Sequence, residues 1–259
     1  MPTCTRPTLL ALCCSLSFTA HSAPQPAPQN ANDSQAGQAL ELGATSISAE
    51  SIMPGSLPPV YAGGQVARGG QLGVLGNQDI MDVPFSMASY TEKLIRDQQA
   101  ETVGDVLLND SSVRQASGFA NQAQTFMIRG LPLNGDDISF NGLYGILPRQ
   151  IISTDALERV EVFKGPNAFI NGVTPGGSGI GGGVNLQPKR ADDVPLRRFS
   201  TDISSEGRIG QHLDIGQRFG EDNRFGARVN LSQREGDTAT DNENQRSKLF
   251  AAGLDYQGD

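Results

Sequence analysis

The sequence predicts an α+β domain, with a mixed sheet and short helices, followed by the first antiparallel strands of a transmembrane β-barrel. Three observations predict this fold class. Two strand-like segments flank a glycine-rich stretch at residues 172–183, two helix-capping patterns lie upstream, and long apolar–polar alternation begins after Arg190. A membrane barrel needs at least about eight strands, and fewer strand patterns follow Arg190, so the barrel is expected to be incomplete within this chain.

The glycine-rich stretch connects two segments that alternate as strands do. Val160 and Val162 share one face opposite Glu161, and the alternation resumes at Val184 after the glycines. Residues 177–182 fit the spacing GxGxxG, but a dinucleotide site needs a helix after it, and here a strand pattern follows. The glycines are therefore expected to supply positive φ angles and close backbone approach in a turn.

Two capping patterns predict short helices. Ser89 and Glu92 have the spacing of a capping box ahead of apolar residues, and Thr102 and Asp105 repeat it. A further short strand is expected at residues 126–128. Short helices that alternate with strands are typical of a small globular domain with a mixed sheet.

The alternation after Arg190 is long and regular. Apolar side chains occupy every second position within residues 209–219, 225–231 and 250–256, and a shorter strand is expected near 199–203. Strands of about 9 to 11 residues with one apolar face are typical of a transmembrane barrel, although a soluble sandwich would alternate in the same way. Loop lengths favour the barrel, because a tight turn at the first connection precedes a long polar one at the second.

The tight turn and the long polar connection lie at residues 220–223 and 235–245, respectively.

The composition of the chain argues against several classes of function. The chain of 259 residues has a formal net charge of -8, which disfavours binding to nucleic acid. No apolar run is long enough for a membrane-spanning helix, so any insertion would use strands. No set of nucleophile, base and orienting residue can be assembled, so neither an enzymatic activity nor a cofactor is expected.

The first 22 residues have the features of a secretory signal peptide. Arg6 provides a basic start, an apolar stretch follows at residues 9–20, and cleavage is predicted after Ser22. All three cysteines precede that position. The exported chain would therefore have no thiol for a disulfide or a metal site.

Several short motifs follow one another in a fixed order: residues 61–70, 81–87, 97–107, Phe-Met-Ile-Arg-Gly at 126–130, and Glu-Arg-Val-Glu-Val-Phe-Lys-Gly-Pro at 158–166. In this order they resemble the plug domain of TonB-dependent outer-membrane siderophore receptors. The stretch at 175–183 departs from that family, because it is longer than the usual Pro-Gly-Gly step.

The resemblance implies four parts: a signal peptide at 1–22, a disordered arm at 23–60, a plug domain at 61–190 and the first barrel strands at 191–259. The arm is rich in Pro, Gln, Ala, Asn and Ser, a composition typical of disorder. The family carries its TonB box in this position, as a short extended peptide that can add a strand to its partner. The most strand-like part of the arm provides the candidate residues Thr45, Ser46, Ile47 and Ser48.

The resemblance also implies where the plug domain would meet its ligand and the barrel wall. A ferric chelate would bind the loops before and after the Ile-Arg-Gly strand, and Arg and aromatic side chains suit an anionic or catecholate chelate. The candidate ligand-binding residues are Arg114, Phe119, Gln122, Tyr144, Arg149 and Gln150. The charged residues expected to pair with the barrel wall are Arg129, Glu158, Glu161, Lys164 and Arg190.

The sequence therefore predicts a TonB-dependent receptor for uptake of a ferric siderophore, located in the bacterial outer membrane after export. Its expected partners are TonB with the inner-membrane energising complex, the ferric siderophore and outer-membrane lipid. Two alternatives stay open. One is a truncated soluble periplasmic plug fragment that binds TonB or chelate without transport, and the other is a β-rich adhesin or secretion-pore protein, which would need no TonB box.

Overall fold

The structure, a computed structural model, describes residues 56–117, 123–166, 168–204, 207–238 and 240–257. These residues belong to one unit, Ala49–Asp259. The predicted signal peptide, most of the predicted arm and the four candidate TonB-box residues lie outside the described ranges. The four-part division of the chain stays a prediction.

The N-terminal two thirds of the described chain form short strands and helices, as expected for an α+β domain. In chain order the strands are β1 (Gly69–Gln71), β2 (Asn77–Asp79), β3 (Ser86–Thr91), β4 (Val113–Gln115), β5 (Thr125–Ile128), β6 (Leu131–Asn134), β7 (Ser139–Phe140), β8 (Leu157–Lys164) and β9 (Gly182–Pro188). The helices are α1 (Glu92–Asp97), α2 (Val103–Leu107) and α3 (Ala168–Asn171), and 3₁₀ turns lie at Gly73–Leu75, Ile80–Asp82 and Gly135–Asp137.

The central sheet of this domain is mixed. Its order is β3-β8-β9-β7, in which β7 runs parallel to β9 and the other pairs are antiparallel. Two smaller antiparallel sheets, β1-β2 and β4-β5-β6, complete the domain. The predicted mixed α+β architecture is therefore confirmed.

The core of the domain lies between one face of the central sheet, helix α2 and strand β5. Val160 and Val162 of β8 pack there with Val106 and Phe126, and all four side chains are buried. Burying one such apolar side chain contributes about 1.5 to 3 kcal/mol. Glu161 points to the opposite face of the sheet, as the alternation predicts, yet that face is also covered.

One of the two predicted helix caps is confirmed and the other is wrong. Thr102 and Asp105 form a complete capping box at the start of α2. Ser89 does not cap α1, because it lies inside β3 opposite Glu161. The cap is Thr91, whose side chain accepts a hydrogen bond from the Leu94 N–H at 3.4 Å. Strand pairing with β8 keeps the chain extended through Thr91, so the helix begins later than the Ser89–Glu92 spacing suggests.

The C-terminal part of the described chain is one antiparallel sheet. Its strands are β10 (Leu196–Ile203), β11 (Ile209–Phe219), β12 (Phe225–Asp237) and β13 (Asn244–Tyr256), paired in that order. A 3₁₀ turn at Glu221–Asn223 forms the predicted tight connection.

The second connection is shorter than the sequence predicts, because β12 and β13 extend into the polar stretch expected to be a loop. Within that stretch, Glu235 lies directly opposite Arg246, and their side chains form an ion pair at 3.2 Å. Paired strands satisfy the backbone there, so polar composition alone does not end a strand.

The two faces of this sheet differ as a barrel wall requires. Alternate apolar side chains such as Phe199, Ile215 and Phe250 are exposed on one face. The opposite face is buried but charged, and Asp214 and Arg228 lie on it against the plug domain. A soluble sandwich would bury its apolar face instead, so this burial pattern favours a barrel wall around a polar lumen.

Among the described residues, no helix is both long and apolar enough to cross a membrane.

Candidate functional site

Two of the predicted ligand loops lie side by side. Ala123 forms an isolated bridge with Gln150, and the Gln124 N–H donates to the Arg149 carbonyl at 3.0 Å. The Gly135 N–H in turn donates to the Gln124 carbonyl at 2.8 Å. We call residues 123–124, 134–137 and 144–150 the loop cluster. The structure thus brings the segment that follows Gln122 next to two other candidate residues.

The loop cluster is partly exposed, and its arginine is paired with a carboxylate of the same cluster. Arg149 and Gln150 are exposed, and the Arg149 guanidinium pairs with Asp136 at 3.0 Å. Tyr144 is half-buried, and burial, together with the negative charge of Asp137, raises the pKa of its hydroxyl above 10.0. Tyr144 therefore stays neutral at physiological pH and can donate a hydrogen bond to a ligand oxygen.

Arg114 is positioned differently from the other candidates. It lies on β4 opposite Met127, and its Nη1 donates to the carbonyls of Ser111 at 3.0 Å and Val113 at 2.7 Å. Its guanidinium is therefore turned toward its own chain segment. Phe119 and Gln122 lie outside the described residues, and the ligand-binding role of all six candidates stays a prediction.

The five residues expected to meet the barrel wall have varied surroundings. Lys164 pairs with Asp110 of the same domain at 2.8 Å. The Arg190 side chain donates to Asn141 at 3.4 Å, while its carbonyl accepts from Arg228 of β12 at 2.8 Å. Arg129 is exposed, with a φ of 51°.

Glu158 is half-buried on β8. Burial and the nearby carboxylates of Asp192 and Glu92 raise the pKa of Glu158. A raised pKa means that the site disfavours the charged form of this carboxyl. For these five residues, pairing with the barrel wall stays a prediction.

A set of ion pairs that the sequence analysis did not identify joins the plug domain to β10, β11 and β12. Asp155 accepts two hydrogen bonds from Arg234, at 2.5 and 2.9 Å. Further side-chain pairs include Glu92 with Arg198 at 2.6 Å, Glu101 with Arg208, the residue before β11, at 2.5 Å, and Lys189 with Asp214 at 3.1 Å. The sequence contained a pattern that could have identified these pairs, because the alternation of the strands places their arginines on the polar face.

The Asp155–Arg234 pair is the most buried of these carboxylate–guanidinium pairs. The two side chains are 7% and 11% exposed. Burial alone would raise the pKa of Asp155, but the hydrogen bonds and charge of Arg234 outweigh it and lower the pKa to about 2. Asp155 is therefore ionised at any physiological pH.

A cavity of about 140 Å³ lies between α1 and the strands beside this pair. Its charged lining includes Glu92, Asp155, Lys189, Arg198 and Arg234. That volume can hold a few water molecules between charged groups, but not a metal chelate. The cavity lies between the domain and the wall and is too small to be the chelate site.

Glu161 is fully buried beneath β1. Its carboxylate accepts from the Gln71 N–H at 3.2 Å and from the Asn185 amide at 2.7 Å. Burial raises its pKa from 4.5 to about 7, although the Asn185 hydrogen bond opposes that shift. Because the folded state holds the proton more tightly than the unfolded chain, the resulting stabilisation is complete below pH 4.5 and is lost as pH rises through 7.

We expect Glu161→Gln to abolish this pH dependence. The neutral amide keeps the shape of the side chain and removes the buried charge, so the variant should be more stable than the native protein at pH 8 by about 2 to 3 kcal/mol. Scanning calorimetry of the plug transition between pH 5 and 8 measures the difference. Glu221→Gln, in the exposed turn after β11, is the matched control, and equal pH slopes for all three proteins would contradict the expectation.

Within the described ranges, no group of three or more His, Cys, Asp or Glu side chains is arranged to hold a metal ion.

Comparison with known proteins supports the plug-domain resemblance of the sequence. Residues 79–178 match the family described as TonB-dependent Receptor Plug Domain. The Ferrichrome receptor FcuA of Yersinia enterocolitica is 54% identical over 203 residues, which cover 78% of this chain and 27% of that receptor.

Two solved receptors are similar in structure. BauA, the ferric preacinetobactin receptor of Acinetobacter baumannii, is 42% identical with a TM-score of 0.75, over 78% of this chain and 30% of that one. The ferripyoverdine receptor of Pseudomonas aeruginosa is 14% identical with a TM-score of 0.67, over 78% of this chain and 27% of that one, which shows a shared fold. The chain thus spans less than a third of the length of these relatives.

Proposed function

The chain belongs to the family of TonB-dependent siderophore receptors, and from this premise we propose that it serves uptake of a ferric siderophore across the bacterial outer membrane. The observation that carries the proposal is a plug domain that is joined to a barrel wall by buried ion pairs such as Asp155–Arg234 and that also carries the partly exposed loop cluster. Such a domain can receive a chelate on one surface while the wall holds it in place.

The chelate proposed here is an uncharged ferric hydroxamate of the ferrichrome type. The relative with 54% identity is a ferrichrome receptor. The Asp136 carboxylate balances the charge of Arg149 within the loop cluster, so a neutral chelate would meet no unbalanced cation there. Tyr144 and Gln150 would donate hydrogen bonds to the chelate oxygens.

An anionic or catecholate chelate is the second candidate. Arg114 and Arg149 are both exposed, and a relative with 42% identity is a ferric preacinetobactin receptor. A polyanionic ligand would have to compete with Asp136 for the Arg149 guanidinium. That competition weakens this candidate relative to a neutral chelate.

The family assignment supports three further proposals. The protein is exported by the signal peptide at 1–22 to the outer membrane, where lipid surrounds the apolar face of β10–β13. TonB, driven by its inner-membrane complex, binds the arm at residues 45–48. The plug domain stays movable because some of its wall contacts, such as the Glu92–Arg198 pair, are partly solvated ion pairs, each worth about 0 to 1 kcal/mol.

The test is growth and iron uptake in an iron-limited strain that lacks its own siderophore receptors and expresses the protein from its complete gene. We expect ferrichrome to support uptake, a ferric catecholate to support little, and deletion of residues 45–48 to reduce uptake at least tenfold while chelate binding persists. An immunoblot of the outer membrane is the control for expression. A periplasmic product of about the size of this chain would instead favour the truncated plug fragment, and ferrichrome binding without uptake in the undeleted protein would contradict the proposal.

A further inference from the structure

Three consecutive residues of one 3₁₀ turn each contact a different segment of the plug domain. Gly135 donates its N–H to Gln124 in the segment before β5, and Asp136 pairs with Arg149 in the loop before β8. Asp137 turns inward and binds the glycine-rich segment between α3 and β9. The turn Gly135–Asp137 is therefore the point where three loops meet.

The contacts of Asp137 are the most numerous of the three. Its carboxylate accepts from the Gly176 N–H at 2.6 Å, from the Ser178 N–H at 2.9 Å and from the Ser178 hydroxyl. The side chain is almost fully buried, with 1% of the residue exposed. A Cβ at position 176 would lie 2.8 Å from both carboxylate oxygens, so only glycine allows this approach.

Ser178 extends the connection. Its hydroxyl accepts from the Asn134 N–H at 2.9 Å, at the end of β6, and its carbonyl accepts from the Thr174 hydroxyl at 2.5 Å. The glycine-rich segment is thus bonded to the loop cluster through Asn134 as well as through Asp137. This is the stretch that the sequence predicts to be longer than the corresponding family step.

The charge of Asp137 also acts on Tyr144, another residue of the loop cluster. Burial would raise the pKa of Asp137, but hydrogen bonds from Ser178 and Gly176 outweigh it and hold the pKa below 3.8. The carboxylate is therefore ionised, and its field acts on the hydroxyl of Tyr144, whose pKa it helps to raise. Asp137 is thus bonded to the glycine-rich segment and influences Tyr144 through its charge.

We propose that Asp137 is a positioning residue for chelate binding: by bonding Gly176 and Ser178 it holds the glycine-rich segment and the loop cluster as one body, and so sets the placement of Tyr144 and Arg149. The role of a chelate in this statement depends on the proposed function. The union of the two segments depends only on the contacts described above.

The test compares Asp137→Asn with Asp105→Asn in the complete outer-membrane protein. Both carboxylates accept backbone hydrogen bonds, but those that Asp105 accepts come from Glu101 and Thr102, which belong to neither segment. Hydrogen exchange is measured for peptides covering residues 144–150 and 174–178, and ferrichrome affinity is measured by titration calorimetry. We expect Asp137→Asn to raise exchange about tenfold in both peptides and to weaken ferrichrome binding about tenfold, and Asp105→Asn to change neither.

The hydrogen-exchange measurement and the binding measurement test different parts of the proposal. If Asp137→Asn loosens only residues 174–178, or leaves affinity within twofold of the native protein, the positioning role is overturned. If the native protein binds no chelate, the proposed function fails, while joint loosening of both peptides still establishes that Asp137 unites them. Ser178→Ala, which removes the hydroxyl and leaves the backbone bonds, should give the same pattern at about a third of the size.

Discussion

Asp155→Ala should weaken the attachment of the plug domain to the barrel wall by about 3 kcal/mol, because it leaves the buried guanidinium of Arg234 without its bidentate partner. The nearest other carboxylate oxygens, on Asp202 and Glu101, lie 3.6 and 3.9 Å from the Arg234 Nε and compensate only in part. The measurement is the denaturant dependence of protease cleavage within the plug domain of the membrane-inserted protein. Cleavage should begin at lower denaturant in the variant.

A double-mutant cycle with Arg234→Met separates the pair from its surroundings. The double variant should recover part of the loss, since it removes the unpaired charge as well. Asp97→Ala is the matched control: it breaks the Lys93–Asp97 pair on the exposed surface of α1, and should cost much less than Asp155→Ala because solvent screens that pair. Equal losses for Asp155→Ala and Asp97→Ala would show that burial of the pair at the wall contributes nothing.

The pH dependence of the Asp155–Arg234 contact follows from the lowered pKa of Asp155. Asp155 has a folded pKa of about 2 against an ordinary value of 3.8. The stabilisation is therefore present above pH 3.8 and is lost only as pH falls toward 2. Mild acidity should leave this contact intact, whereas the contribution of Glu161 changes between pH 4.5 and 7.

The parts of the fold that the sequence predicts correctly are those with a regular period. The alternation in β8 places Glu161 opposite Val160 and Val162, and the alternation in β11 and β12 places Asp214 and Arg228 on the inner face. The two-residue period of a strand determines which face a side chain occupies. It does not determine what covers that face, and for this reason the burial of Glu161 beneath β1 could not be predicted from β8 alone.

The wall contacts illustrate the same limit for the candidate site. Asp155 and Arg234 are 79 residues apart, and only the assembled fold brings them within hydrogen-bonding distance. Resemblance to a family selects charged residues by motif, as with Lys164, whose partner Asp110 lies inside the plug domain. Complementary charges on the polar face of each strand would have been the better guide, because every arginine on that face needs a buried partner.

Gly182→Ala should disrupt the pairing of β8 with β9 and destabilise the plug domain by more than about 3 kcal/mol, because it combines backbone strain with a clash in the sheet. Gly182 has a φ of 153°, and a Cβ there would lie 2.1 Å from the Phe163 carbonyl oxygen. That oxygen belongs to the strand that carries Val160 and Val162 in the core, so β8 cannot yield without loss of packing. The measurement is the midpoint of the plug transition in calorimetry of the membrane-inserted protein.

The matched control is Gly177→Ala in the same glycine-rich segment. Gly177 has a φ of 73° but open space where a Cβ would lie, so alanine there should cost only about 1 to 2 kcal/mol, the strain of a left-handed backbone. The comparison separates the two roles that the sequence assigns jointly to these glycines, positive φ and close approach. If Gly182→Ala is as mild as Gly177→Ala, close approach at Gly182 is not what holds β9 against β8, and the glycine would be needed for its φ alone.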